Sequence, residues 1–278
     1  MKPNAGFPIA AFLLLIGGCA GSGGSDDSSK PQSGGSGAGP SPPVLAACEA
    51  GDGRGSAHGG IWVENSEGSE SEEMRLLVAE TGEFRWTSPK AWYQQIFGSF
   101  QVGDFASDDA VYVSVDALVW SNINIVAVDV DGELDPSSNL SLRLNFDSTF
   151  SDDTRLLAPC NSVYARGSSL ESIAGTYVNG SLMLAIDEQG EIFLQDGECV
   201  GDGSVELIDP DFNMYRMELT VGACDNSEGF HMHAVDSTFN GLAYLGNSGP
   251  GFIGDALEWS LNSGDDESIP IWSGHARK

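Results

Sequence analysis

The strongest nominal motif for chemistry in this sequence is Asp129-Val130-Asp131-Gly132-Glu133-Leu134-Asp135. Its carboxylates at the first, third and seventh positions are spaced as in a calcium loop. Such a loop also needs a further oxygen ligand before its glycine and a bidentate Glu at the twelfth position, where Leu140 stands. An aspartate-glycine hairpin turn in an acidic chain is the plainer reading. His231-Met232-His233 would point two imidazoles to one face of a strand, but His58 and His275 are the only other imidazoles, so a third metal ligand would have to be a carboxylate. Two surface histidines are the simpler account. No G-x-S-x-G elbow follows the N-terminal apolar segment, and no G-x-x-x-x-G-K phosphate loop occurs. Paired carboxylates for glycoside hydrolysis are brought together only by tertiary structure. Trp62, Trp86, Trp92, Tyr93, Trp120 and Trp259 are candidates for a ligand groove, yet aromatic residues at strand positions are more often core. Trp92-Tyr93, in the unpatterned stretch Ser88 to Gln95, is the pair best placed for ligand contact.

The five cysteines carry more information. Cys19 ends a segment built like a secretory signal, with Lys2, an apolar stretch from Phe7 to Ile16, and small residues before the cut. The stretch is too short to span a bilayer, which takes roughly 20 apolar residues. Ile16-Gly17-Gly18-Cys19 resembles the bacterial lipobox, an aliphatic residue and two small ones before a cysteine. The resemblance implies cleavage before Cys19, a diacylglyceryl group on its thiol and a third acyl chain on its amine. Two or three chains make a durable anchor, since each buried methylene contributes about 0.8 kcal/mol. Residue 20 is Ala and not Asp, which in the enteric sorting pattern implies the outer membrane.

Behind this anchor, Ala20 to Pro43 is almost wholly Gly, Ser, Pro and charge, a flexible linker by composition. Its random-coil reach is about 25–30 Å. The whole chain holds 41 acidic and 12 basic residues, for a net charge of -29 spread along its length. Such a charge argues against nucleic acid as a partner and suits a solvated acidic surface.

The remainder is internally duplicated, at a spacing of about 112 residues. Gly60-Ile61-Trp62-Val63 recurs as Gly175-Thr176-Tyr177-Val178, and Leu76 to Phe84 aligns without gaps on Leu184 to Ile192. Gly98-Ser99-Phe100 answers Gly203-Ser204-Val205, and Leu140 to Asn145 answers Leu257 to Asn262. Cys48 and Cys160 each stand six residues before an Arg-Gly-Ser. Period-two alternation in Val111 to Val115, Leu140 to Leu144 and Tyr215 to Leu219 predicts half-buried strands. Thr81-Gly82, Asp131-Gly132, Gln189-Gly190 and Asp209-Pro210-Asp211 read as the turns between them. One helical turn is expected near Ser168 to Ile173, with Ser168 and Glu171 as a capping box. The expected fold is therefore all-β: a signal peptide (1–18), the lipidated Cys19 with its linker (19–43), and two antiparallel meander units (44–160 and 161–278). Each unit is read as five or six strands forming a small barrel or sandwich. Separate closure of the two is favoured over one larger barrel.

Four cysteines remain once Cys19 is set aside, and four allow three pairings. A hairpin turning at Asp211 and Phe212 sets Cys199 opposite Cys224, at a separation a disulfide spans after a small shift. Cys48 then pairs with Cys160, a bridge contributing about 4–5 kcal/mol in the chain-entropy model. The spacings match no zinc template.

The second unit, GTYVNGSLMLAIDEQGEIF followed by a cysteine and then GSVELIDPDFNMYRMELTV and another, resembles a repeat of Gram-negative envelope lipoproteins with no assigned activity. The likeness covers about 90 residues and implies location and fold but no mechanism. The reading these features support is a membrane-anchored, non-enzymatic binding or structural module without a cofactor, its partner an envelope protein or glycan. The alternatives are an envelope polysaccharide hydrolase using dispersed carboxylates, and a calcium-stabilised adhesion-type module.

Overall fold

A computed structural model describes residues 59–64, 74–88, 91–101, 105–115, 123–134, 139–146, 153–224, 236–249, 252–263 and 271–278. Cys19, Cys48, His58, Trp120, His231 and His233 lie outside these residues, as do the side chains of Trp92, Tyr93 and Cys224. The first copy forms β1 (Gly60–Glu64), β2 (Arg75–Val78), β3 (Glu83–Ser88), β4 (Ala91–Ser99), β5 (Phe105–Val115), β6 (Ile123–Leu134), β7 (Leu140–Phe146) and β8 (Asp153–Pro159). Two single-turn helices follow, α1 (Asn161–Tyr164) and α2 (Leu170–Ile173). The second copy forms β9 (Gly175–Asn179), β10 (Leu182–Ile186), β11 (Glu191–Asp196), β12 (Cys199–Leu207), β13 (Tyr215–Cys224), β14 (Ser237–Gly249), β15 (Phe252–Ser263) and β16 (Ile271–Arg277).

Each copy is a closed antiparallel meander of eight strands. The first closes as β8 returns to β1 through Val63 and Ala158; in the second, β16 meets β9 where Arg277 pairs with Val178. Five or six strands per copy were too few. Strands such as β12 (CVGDGSVEL) and β14 (STFNGLAYLGNSG) are glycine-rich, which blurs the alternation that marks a strand in sequence.

The duplication is visible in the hydrogen bonds. Phe84 pairs with Gly98 in one barrel and Ile192 with Gly203 in the other. The turn before each of these strands is built alike. Gly82 donates to Ala79 O at 2.9 Å and Gly190 to Asp187 O at 3.1 Å, while Phe100 and Val205 donate back to the two glycine carbonyls at 2.8 and 2.7 Å. Both glycines have positive φ, 88° and 84°, a region that disfavours a side chain.

Eight strands leave an interior just wide enough to be filled by side chains. Trp62, Phe84, Trp86 and Leu142 fill the first barrel, with Phe84 stacked on Phe100 at 4.2 Å. Tyr177, Leu184, Met217, Phe239 and Trp259 fill the second. Burying each large apolar side chain contributes about 1.5–3 kcal/mol. Trp62, Trp86 and Trp259 are thus core residues, joined by Trp272, whose ring meets Trp259 edge-on at 6.4 Å.

Two local readings are corrected. Asp131-Gly132 is no turn: it lies within β6, where Gly132 pairs with both Phe105 and Leu142, and a Cβ there would crowd the Phe105 side chain. The cap of α2 is Ser169 with Ser172, because Ser168 is engaged elsewhere, its hydroxyl donating to Asp209 O and its amide to Pro210 O. The Asp209 to Asn213 turn forms as read, and the β12–β13 register sets Cys199 opposite Cys224 after a bulge next to Gly201.

Candidate functional site: the cleft between the barrels

Both barrels belong to one compact unit and meet through unlike faces. The first presents the outer side of β2 to β5, the second the outer side of β14 to β16. These positions alternate with the core residues of the same strands, so the period-two pattern that fills each barrel also lays polar groups on the shared face. An apolar strip of Ile61, Leu77, Tyr164, Met214 and Leu242 seals one side. There α1 is held by Asn213, whose amide donates to Val163 O at 3.0 Å and Leu245 O at 2.8 Å.

The rest of the shared face is polar and buried. Arg75 donates to Glu258 and to the Tyr244 hydroxyl, which itself donates to Glu258 Oε2 at 2.7 Å. Burial works against the charge on Arg75, but Glu258 and Tyr244 outweigh it and raise its pKa. Gln95, fully buried, donates from Nε2 to Ser260 Oγ at 2.6 Å and to Leu261 O at 3.2 Å. The Thr87 and Ser273 hydroxyls bond at 2.7 Å.

Beside this seam lies a cleft of about 390 Å³, lined among others by Glu83, Arg85, Phe97, Ser99, Arg216 and Asn262. Glu83 is shared by two of the arginines that line it. One carboxylate oxygen accepts from Arg85 Nη2 at 2.9 Å, and the other from Arg216 Nη2 across the seam at 3.1 Å. Arg85 also donates to Phe84 O at 2.9 Å and lies over the Phe97 ring, 5.4 Å from its centroid. Burial, opposed by Glu83 and reinforced by Arg216, pulls the Arg85 pKa down to about 10, so the group stays cationic at neutral pH. Among the described residues, Arg85 Nε and Asn262 Oδ1 are buried without a hydrogen-bond partner, as are the indole nitrogens of Trp62, Trp86 and Trp259; closed to solvent, none of them opens onto the cleft. Leaving such groups unsatisfied costs about 1–3 kcal/mol each.

The described residues singled out in the sequence are not gathered here. Asp129 and Asp131 lie on the outer side of β6, where Asp131 accepts from Asn145 Nδ2 at 3.2 Å. His275 is on β16, opposite Glu258. Among the described residues, no group of three or more His, Cys, Asp or Glu side chains could hold a metal ion. The arginines escaped notice because each reads as one more outward polar residue in an alternating strand. Their only sequence signal is scarcity, 12 basic residues in 278. Among the described residues, no helix is long and apolar enough to cross a membrane. Comparison with protein-family models, curated proteins and solved structures finds no match.

Proposed function

We propose that the chain is an exported lipoprotein, anchored through Cys19 at the bacterial outer membrane, whose fused barrels act as a non-enzymatic binding module. The observation that carries the binding half is the cleft: of the described residues lining it, Glu83 is the single carboxylate, and both its oxygens are spent on arginines. Glycoside hydrolysis takes two carboxyl groups at a set separation, so this lining suits recognition better than bond cleavage. Among the described residues the barrel interiors are filled by side chains, while the seam carries a cleft. The anchoring half rests on Ile16-Gly17-Gly18-Cys19 and the linker behind it. In an oxidising envelope, Cys199–Cys224 and Cys48–Cys160 would be bridged, the first supported by its cross-strand register.

The test uses the full chain expressed in a Gram-negative host. Palmitate labelling and outer-membrane fractionation are expected for the chain and lost in Cys19→Ser; an unlabelled wild type overturns the anchor. Thermal-shift assays of the purified chain against peptidoglycan, envelope glycans and envelope proteins are expected to show a stabilising partner without turnover. No shift with any fraction overturns the binding reading, and product release from a glycan replaces it with hydrolysis.

A further inference from the structure

We infer that the outer face of β9 to β12 is a docking surface for the basic, apolar-faced helix of a partner protein, at a place separate from the cleft. The duplication sets equivalent faces in different surroundings. In the first barrel this face is covered by the second barrel, and there Glu83 receives Arg216 from the covering side at 3.1 Å. In the second barrel Glu191 takes the place of Glu83, since Glu191 pairs with Ser204 as Glu83 pairs with Ser99. Met183 and Phe193 stand where the first copy has Arg75 and Arg85. Among the described residues Glu191 has no ion pair, and both Glu191 and Phe193 are exposed. What Arg216 supplies to Glu83 is missing at Glu191.

The bare face has an apolar centre and an acidic margin. Val178, Phe193 and Val200 are 49%, 48% and 41% exposed. The register joins them: Val178 pairs with Met183, Met183 with Gln195 and Gln195 with Val200, while Phe193 lies between Ala185 and Asp202. Exposed apolar side chains gathered in this way mark an interaction surface, whereas scattered ones do not. Glu191, Asp202 and Glu206 are the outward charges of the four strands, none of whose outward residues is Lys or Arg. The cation nearest in the register is Arg277, opposite Val178 on β16. A complementary surface therefore brings apolar side chains flanked by cations.

Closure of the barrel decides the form of the partner. A closed sheet offers no free edge, so the partner cannot join by adding a strand and must lie on the face. Four strands at a spacing of about 4.8 Å span roughly 15 Å, which is about three turns of helix. Charge decides against a second copy of this chain. Barrels stacked head to tail would bring β6 and β7 of one copy onto β9 to β12 of the next. There Asp131 and Glu133 stand where Leu242 and Tyr244 stand in the second barrel, because they pair with Arg143 and Ser141 as Leu242 and Tyr244 pair with Ser260 and Glu258. Acid would meet acid.

Fluorescence anisotropy of the full chain in mild detergent tests this with three labelled peptides. They are a four-turn Leu/Lys amphipathic helix, its Leu/Glu counterpart and a Ser/Lys peptide of the same charge. The Leu/Lys helix is expected to bind at least tenfold more tightly than either control at physiological salt. Phe193→Ser and Glu191→Lys are each expected to weaken it fivefold or more without moving the melting temperature, and Asp131→Lys, on the other acidic face, to leave it unchanged. Equal binding of the Ser/Lys peptide reduces the attraction to overall charge and overturns the inference. So does an affinity that neither Phe193→Ser nor Glu191→Lys moves, or silence with all three peptides into the high micromolar range. Sedimentation of the chain alone is expected to show a monomer; a dimer abolished by Phe193→Ser gives the face to a second copy and overturns the partner. The cleft reading survives each of these failures, because neither Phe193 nor Glu191 lines the cleft.

Discussion

Arg85 on β3 and Phe193 on β11 hold the same place in the two copies, one residue past Phe84 and Ile192, yet Arg85 is 7% exposed and Phe193 is 48% exposed. The difference follows from barrels that meet head to tail: the outer side of β2 to β4 is covered by the second barrel, while β10 to β12 turn the equivalent side to solvent. Phe193→Ser is therefore expected to change stability by less than about 0.5 kcal/mol. Leu194→Ala, one residue on and inside the barrel, is expected to cost about 2–5 kcal/mol. Urea unfolding of the two variants checks the facing of β11; similar losses in both would place Phe193 against a partner.

The Arg75–Glu258 pair, with each side chain 10% exposed, ties the barrels through a charge that water does not screen. Removing one member strands the other. Glu258→Ala is expected to lose about 3–5 kcal/mol, whereas Arg75→Met with Glu258→Leu recovers most of that loss by replacing both charges with apolar groups. Chemical denaturation of the single and double variants decides it, and a Glu258→Ala loss below about 1 kcal/mol would mean the pair is solvated.

What the sequence revealed and what it hid divide along a physical line. The β2–β3 and β10–β11 hairpins were legible because their apolar alternation and their glycines at the turn are local properties. The setting of Cys199 opposite Cys224 was legible to within one residue: a straight register centred on Asp211 would set Cys199 against Ala223, and the bulge next to Gly201 brings it to Cys224. The strand number was not legible, since β12 and β14 replace alternating side chains with glycines that let neighbouring backbones approach. The cleft was hidden for a different reason. Glu83 and Arg216 are 133 residues apart, and nothing in either strand's pattern says which outer face another barrel will cover. Asp131-Gly132 shows the opposite error, a turn signal overridden by pairing on both sides of β6.

Three glycines with positive φ separate backbone strain from crowding. At Gly180, φ 63°, a Cβ would meet nothing within 4 Å, so Gly180→Ala is expected to cost only the left-handed penalty of about 1–2 kcal/mol. At Gly82 and Gly190 the Cβ would lie 2.7 Å from Phe100 O and 2.4 Å from Val205 O. Gly82→Ala and Gly190→Ala are expected to cost about 2–4 kcal/mol each, the excess reflecting displacement of the strand that receives the turn. Equal melting temperatures for all three alanine variants would contradict the shared turn geometry.

Alkaline pH probes the seam and the second barrel together. Tyr164, Tyr177, Tyr215 and Tyr244 all have pKa values raised above the usual phenol, in each case chiefly by burial, with Glu80 adding to the effect at Tyr164. A raised native pKa means that the folded chain holds the proton more tightly than the unfolded one. The associated stability is complete below the unfolded pKa of about 10 and is lost as pH rises beyond it. Arg85 acts in the opposite sense, because a cation with a lowered native pKa favours the fold as pH rises above about 10. Arg166, its pKa likewise lowered by burial, acts with Arg85, while Arg75 and Arg155, where burial is outweighed by ion pairing that raises the pKa, act with the four phenols, and the net effect is a loss. The melting temperature is thus expected to fall steadily above pH 10, and four of the six tyrosines to ionise only as the barrels unfold. Absorbance at 295 nm recorded alongside circular dichroism checks this. Full, reversible tyrosinate absorbance in a chain that keeps its strand signal would show that these hydroxyls reach solvent, and Tyr244→Phe is expected to flatten the slope if they do not.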